Sequence, residues 1–243
     1  GCNKMDSKKA INEYKKLLND NSKYTLTGQM DIVSNEELYH YDVKVDYMEG
    51  DYYKASLTNK NNNHEQIILK NKDGVYVVTP SLNKSFKFQS EWPYNSSQAY
   101  ILSSLLKDLE NDSNVILEES EEKYILSSSV NYPNNSSLIS QKIVFNKDMN
   151  PEEVNVFNKD GVANITFKIS KIDFKPDFKE DYFDVESNAG EECCKDVSKI
   201  DEIVYPMYLP TGTKFKSEET VKSKDSERVI LTFTGDKSFI LIE

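Results

Sequence analysis

Three cysteines and two histidines are the residues in this 243-residue chain best suited to nucleophilic attack, soft-metal binding or proton shuttling. Two of the thiols, Cys193 and Cys194, are neighbours in "GEECCKD". Adjacent cysteines close only a strained bridge with each other. The stretch therefore reads as a loop with two thiols, or as a site for bridging between chains. The surrounding acids disfavour a further anion and so slow thiolate chemistry. His40 falls on the polar face of an expected strand and His64 follows "NKNNN", so each reads as a surface histidine. The chain has no H-E-x-x-H, no Cys/His set at zinc spacing, no G-x-S-x-G and no Gly-rich phosphate loop. Carboxylate pairs such as Glu118–Glu119 and Glu121–Glu122 lie in polar turns, where nothing would separate their pKa values. The expectation is a protein without catalytic residues, metal or cofactor of its own.

The aromatic residues offer more. In "FKFQSEWPYNSS", Phe86, Phe88, Trp92 and Tyr94 cluster around the single tryptophan. One reading makes them core, where large aromatics usually lie. The other makes them a lid or groove lining able to take an acyl chain or a partner's loop.

Net charge is −11 and Arg228 is the lone arginine, which disfavours nucleic-acid binding and forked phosphate clamps. Eleven acidic and five basic side chains fall between 171 and 202. That run reads as a solvated linker, or as a docking surface for a basic partner. No run approaches the roughly 20 apolar residues of a spanning helix.

The elements that must position these residues follow from periodicity. Ile11, Tyr14, Leu17 and Leu18 share one helical face. From about residue 24 the period becomes two. Tyr39, Tyr41, Val43, Val45 and Tyr47 alternate with His40, Asp42, Lys44 and Asp46, as in a half-buried antiparallel strand. Further strands are expected at 52–58, 64–70, 74–79, 84–89, 115–119, 122–130, 138–146, 152–157 and 161–174. A second helix over 97–110 would be capped by Asn95, Ser96 or Ser97. About ten strands in succession imply a strongly curved antiparallel sheet, its concave side plugged by the helices. The protein is then mainly β, in the α+β class.

After 185 the character changes. Pro206, Pro210 and Gly212 enforce an irregular extended path, and two strands follow as a hairpin. Phe239 and Leu241 lie on one face of the last strand, Ile240 and Ile242 on the other, so it needs cover on both. It reads as a strand exchanged within a homodimer, or as the edge of a longer chain. The organisation is a tether at 1–9, a half-barrel domain at 10–185, an acidic linker at 186–202 and a β extension at 203–243.

Several stretches carry a resemblance. "HEQIILKNKDGVYVVTPSLNKSFKF", with "YDVKVDYMEGDYYKASL" before it, resembles the central strands of the LolA/LolB-type lipoprotein carrier fold. "QSEWPYNSSQAYILSSLLKDL" and the terminal "YPMYLPTGTKF…VILTFTGDKSFILIE" resemble sporulation lipoproteins of spore-forming Gram-positive bacteria, and within that group the Lys- and Asn-rich composition is most similar to the clostridial germination lipoproteins. The resemblance implies an incomplete β-barrel with helices over its mouth. It also implies a partner, the zinc-dependent N-acetylmuramoyl-L-alanine amidase that acts in muramic-δ-lactam formation in the spore cortex. The zinc and catalytic residues would belong to that amidase. The alternative within the resemblance is a carrier of acyl chains. "G-C" at the start fits a lipoprotein in which Cys2 takes the lipid and "NKMDSKK" is a polar tether. Such a protein would lie outside the cytoplasm, anchored to a membrane, between the two membranes of the developing spore.

Overall fold

The long hairpin of β1 (Lys23–Ser34) and β2 (Glu37–Met48) is the spine of the structure, paired residue for residue along its whole length. The computed structural model describes residues 4–34, 36–189, 213–222, 227–235 and 239–242. From β2 the sheet extends through β3 (Tyr52–Asn59), β4 (Glu65–Asn71), β5 (Gly74–Thr79) and β6 (Lys84–Phe88). On the other side of β1 come β11 (Ala163–Asp173), β10 (Pro151–Asn158), β9 (Leu138–Asn146), β8 (Lys123–Ser129) and β7 (Ile116–Glu119). Every pairing is antiparallel, and β6 and β7 end the order without pairing to each other. The sheet is a curved, open half-barrel of eleven strands.

The two edge strands are consecutive in the chain, so the crossover from β6 to β7 must traverse the sheet from edge to edge. That crossover is residues 89–115, and it lays α2 (Leu102–Asn111) over the concave face. The amphipathic α1 (Ser7–Asn19) packs beside it, with the Asp6 carboxylate accepting from Lys9 N at 2.8 Å as its cap. Tyr14 fastens the two helices: its hydroxyl donates to Leu102 O at 2.8 Å, and its ring meets Phe145 edge-on at 5.1 Å. One core results, joining Ala10, Tyr14, Leu102 and Leu105 to inward residues such as Leu26, Val45, Ile143 and Phe167.

α2 begins at Leu102, four residues later than a cap at Ser97 would place it. The reason is that Ser97 is already engaged. Its backbone N–H donates to Asn131 O at 2.7 Å, and its Oγ accepts from Asn131 N at 2.8 Å. The segment is thereby tied to the turn after β8 rather than wound into the helix.

β4 is buried on both faces, which explains its unbroken "IIL". Ile68 faces the main core, while Ile67 and Leu69 face a second cluster with Val78 and Phe183. The chain after β11 forms this outer cover. Phe178, Tyr182 and Phe183 pack on one another, and Asn71 Nδ2 donates to Phe183 O at 3.0 Å. The buried Asp46 latches the strap, accepting from Tyr182 at 2.6 Å and from Thr25 at 2.6 Å. The strap closes with the short α3 (Val185–Ala189).

The C-terminal part is a three-stranded antiparallel sheet of β12 (Thr213–Lys222), β13 (Glu227–Gly235) and β14 (Phe239–Ile242). This corrects the expected hairpin, because "TKFKSEETVK" is too polar to announce a strand. Its register also slips between Phe215 and Ser217, which breaks the alternation. Phe239, Ile240, Leu241 and Ile242 pair with β13 of the same chain.

Candidate functional site: a plugged concave face

The concave face is largely filled by side chains. Tyr24, Tyr41 and Tyr53 point inward from the sheet, each buried, and α1 and α2 close over them. Two hollows remain. One, about 150 Å³, lies where the end of α1 meets the start of α2, between Leu18, Tyr24, Tyr47, Tyr53, Leu106 and Phe174. The other, about 210 Å³, lies under the 96–100 segment. Its aliphatic wall is Met30, Ile32, Leu57, Ile68 and Ile165, and its polar rim includes Ser97 and Tyr132.

Behind that rim runs a polar network. Ser97 Oγ donates to Asp108 Oδ1 at 2.9 Å, and Gln141 Nε2 donates to Asp108 Oδ2 at 3.0 Å and to Ser128 Oγ at 3.2 Å. Ser97, Ser128 and Gln141 are buried. Burial pushes the Asp108 carboxyl up to about 6, against the lowering pull of Ser97, Gln141 and Lys107. No ion pair reaches Asp108 among the described residues. Burial also raises the Tyr132 hydroxyl, and the Asp108 charge raises it further.

Of the four aromatics singled out in the sequence, Phe88 and Trp92 lie in the core and Phe86 packs against it half-buried. Trp92 stands edge-on to Tyr53 at 5.8 Å. Tyr94 is at the surface, its hydroxyl donating to Asp51, with Lys70 Nζ 4.5 Å from its ring centre and 2.7 Å from Asp51 Oδ2. None of the four lines either hollow. His40 pairs with Asp31 across the β1–β2 ladder at 2.6 Å. Cys2, Cys193 and Cys194 lie outside the described residues. No cluster of three His, Cys, Asp or Glu able to hold a metal occurs among the described residues.

Asp108, Gln141, Ser128 and Tyr132 were not anticipated, yet three of them left a trace. Gln141 alternates with Ile143 and Phe145, and Ser128 with Tyr124 and Leu126, so each is a polar side chain at an inward position. Asp108 stands three residues after Leu105 and directly before Leu109, on the flank of the helix's apolar stripe.

Two helices over the concave face of an open, curved sheet of eleven antiparallel strands define the scaffold. No known family profile matches the chain. It is 36% identical over 226 residues to sporulation protein YdcC of Bacillus subtilis (strain 168), a match spanning 90% of this chain and 67% of that one. The chain belongs to the family of that sporulation protein. Among solved structures, an uncharacterized conserved protein of Thermus thermophilus superposes with a TM-score of 0.50 at 8% identity, over 74% of this chain and 93% of that one. The Clostridioides difficile CwlD amidase in complex with the GerS lipoprotein gives 0.42 at 17% identity, over 72% and 99%. At these identities the likeness is one of fold.

Proposed function

We propose that this protein is a non-catalytic sporulation lipoprotein that binds and activates a cortex N-acetylmuramoyl-L-alanine amidase. In this reading a lipid on Cys2 holds it at a membrane outside the cytoplasm, between the membranes of the developing spore. Any zinc belongs to the amidase. Membership in the YdcC family supports the sporulation setting. The choice of an amidase rests on the resemblance of residues 89–109 and of the C-terminal stretch to sporulation lipoproteins, and of the Lys- and Asn-rich composition to the clostridial germination lipoprotein GerS among them.

The observation that favours a binding module over a carrier is the filled concave face. Sites for drug-sized ligands enclose roughly 300–1,000 Å³. The two hollows here, at 150 and 210 Å³, fall below that range and are lined by different residues. Recognition then falls to the outer surface and the sheet edges, where protein partners dock. The test is the rate of peptide release from spore-type peptidoglycan by the amidase, with and without an equimolar amount of this protein. Release that rises at least tenfold, with none from this protein alone, is the expected result. An unchanged rate contradicts the reading.

One feature favours the carrier alternative. Leu102, Ser103 and Leu106 of α2 line the smaller hollow, so a shift of α2 would enlarge it. A native mass spectrum decides this. Co-purified acyl ligand supports a carrier, and bare protein supports the binding module.

A further inference from the structure

The half-barrel is open because its two edge strands do not meet, and an edge strand presents a row of unpaired N–H and C=O groups to any extended chain beside it. The two edges differ. At the β6 edge, α3 packs against β5 and β6. At the other edge, β7 pairs with β8 on one side, and on its free side no described residue hydrogen-bonds to its backbone. The side chains of β7 are open as well. Leu117 stands opposite the inward Leu126, so Leu117 and Glu119 face the concave side, and Ile116 and Glu118 the convex side. Leu117 packs half-buried against the core. Ile116 is 60% exposed, the most exposed large apolar side chain among the described residues. On the same convex side, half-buried Ile125 lies opposite Glu118 and half-buried Val144 opposite Ile125, so an apolar strip runs inward from this edge.

Charge decides which strand fits there. Residues 110–122 hold six acidic side chains and no basic one. Glu119 pairs with Lys147 at 3.1 Å, whereas Glu118, Glu121 and Glu122 meet no cation among the described residues. Like charges directly opposite each other destabilise a sheet. The edge therefore rejects a second copy of itself and any acidic strand, and favours a basic one. We propose that the β7 edge takes up an extended segment of a partner protein as a further antiparallel strand, with two basic residues opposite Glu119 and Glu118 and two apolar residues opposite Leu117 and Ile116. Main-chain hydrogen bonds hold the segment, the apolar pair covers Ile116 and Leu117, and the basic pair fixes the register. Glu121 and Glu122, in the turn before β8, extend the attraction to a basic residue ahead of that pair. The inference holds whether or not the partner is the cortex amidase, so its test and the amidase assay can fail separately.

The probe is the peptide acetyl-Ser-Lys-Lys-Lys-Val-Ile-Thr-Ser-amide. One control is the same peptide N-methylated through its six central residues, which keeps every charge and side chain and cannot join a sheet. The other has glutamate in place of the three lysines. The experiment is ¹⁵N–¹H shift mapping of the whole protein with each peptide at low ionic strength, followed by amide hydrogen exchange. Saturable shifts at 115–119 and in β8 are expected with the first peptide alone, together with exchange slowed about tenfold or more at alternate amides of β7. Glu118→Lys combined with Glu121→Lys reverses charge at two exposed positions and should weaken that binding about fivefold or more. The N-methylated peptide carries the test if this variant fails to fold. Equal binding of the N-methylated peptide would reduce the edge to a patch of charge. An unchanged affinity in the double variant, saturable shifts only elsewhere, or no saturation would also overturn the proposal.

Discussion

Asp108 shows how one side chain can work against stability at neutral pH. The unfolded chain releases this proton near 3.8 and the folded chain near 6. Between those values the folded state holds more protons, so stability falls as pH rises from about 4 to about 6 and stays reduced above. A shift of that size corresponds to at most about 3 kcal/mol, a real fraction of the roughly 5–15 kcal/mol that holds a domain together. Asp108→Asn removes the titration and keeps the shape. Its amide can donate to Gln141 after that side chain turns over, which also satisfies Gln141 Oε1. Urea unfolding should show this variant at least as stable as the parent at pH 7.5, with a flatter dependence between pH 4 and 7. A variant less stable at pH 7.5 would count against this account of Asp108. On the outer face, Tyr182→Phe takes one donor from the buried Asp46 and should cost about 1–3 kcal/mol in the same measurement. At this scale the sequence was least legible. The inward tyrosines could be read from alternation. The partners of Ser97 lie 11 and 34 residues away, and no local pattern announces them.

The elements were far more legible, because alternation and helical spacing are local properties. Strands β2 to β6 and β7 to β11 occupy nearly the expected residues, and Gly50 and Asp51 between β2 and β3 take positive φ angles, as turn residues do. The misses share a cause. The start of α2 was displaced by a tertiary contact at Ser97, and β12 is a strand without an apolar alternation. Gly28 shows another long-range constraint. It stands at a register slip between β1 and β11, where a Cβ would come within 2.4 Å of Lys168 O and 2.8 Å of the Phe167 ring. Backbone cannot yield there as a side-chain tip would. Gly28→Ala should therefore destabilise by about 1–3 kcal/mol in urea unfolding. The strap gives a contrasting case of lost packing. Phe183→Ala empties the centre of the outer cluster and should cost about 3–5 kcal/mol. It should also speed proteolysis after residue 174 while β1–β3 remain protected.

For the whole molecule, topology explains the plug. Consecutive strands at opposite edges force the intervening chain across the concave face, and the amphipathic helices fill what a carrier would keep open. The C-terminal sheet raises the question of assembly. β14 pairs with β13 in its own chain, and we propose that the same strand is exchanged between two copies in a homodimer. Removing residues 228–243 should then leave a folded monomer in light scattering, and a truncated protein that stays dimeric would refute the exchange. The fold class was legible from the count and spacing of strands, whereas assembly depends on surfaces that have no sequence period. The central claim, that this scaffold serves by binding a cortex amidase, is tested most directly by size-exclusion chromatography with light scattering on the two proteins mixed at micromolar concentration. A single peak with the summed mass of both proteins is the predicted result, and two peaks at the separate masses would contradict it.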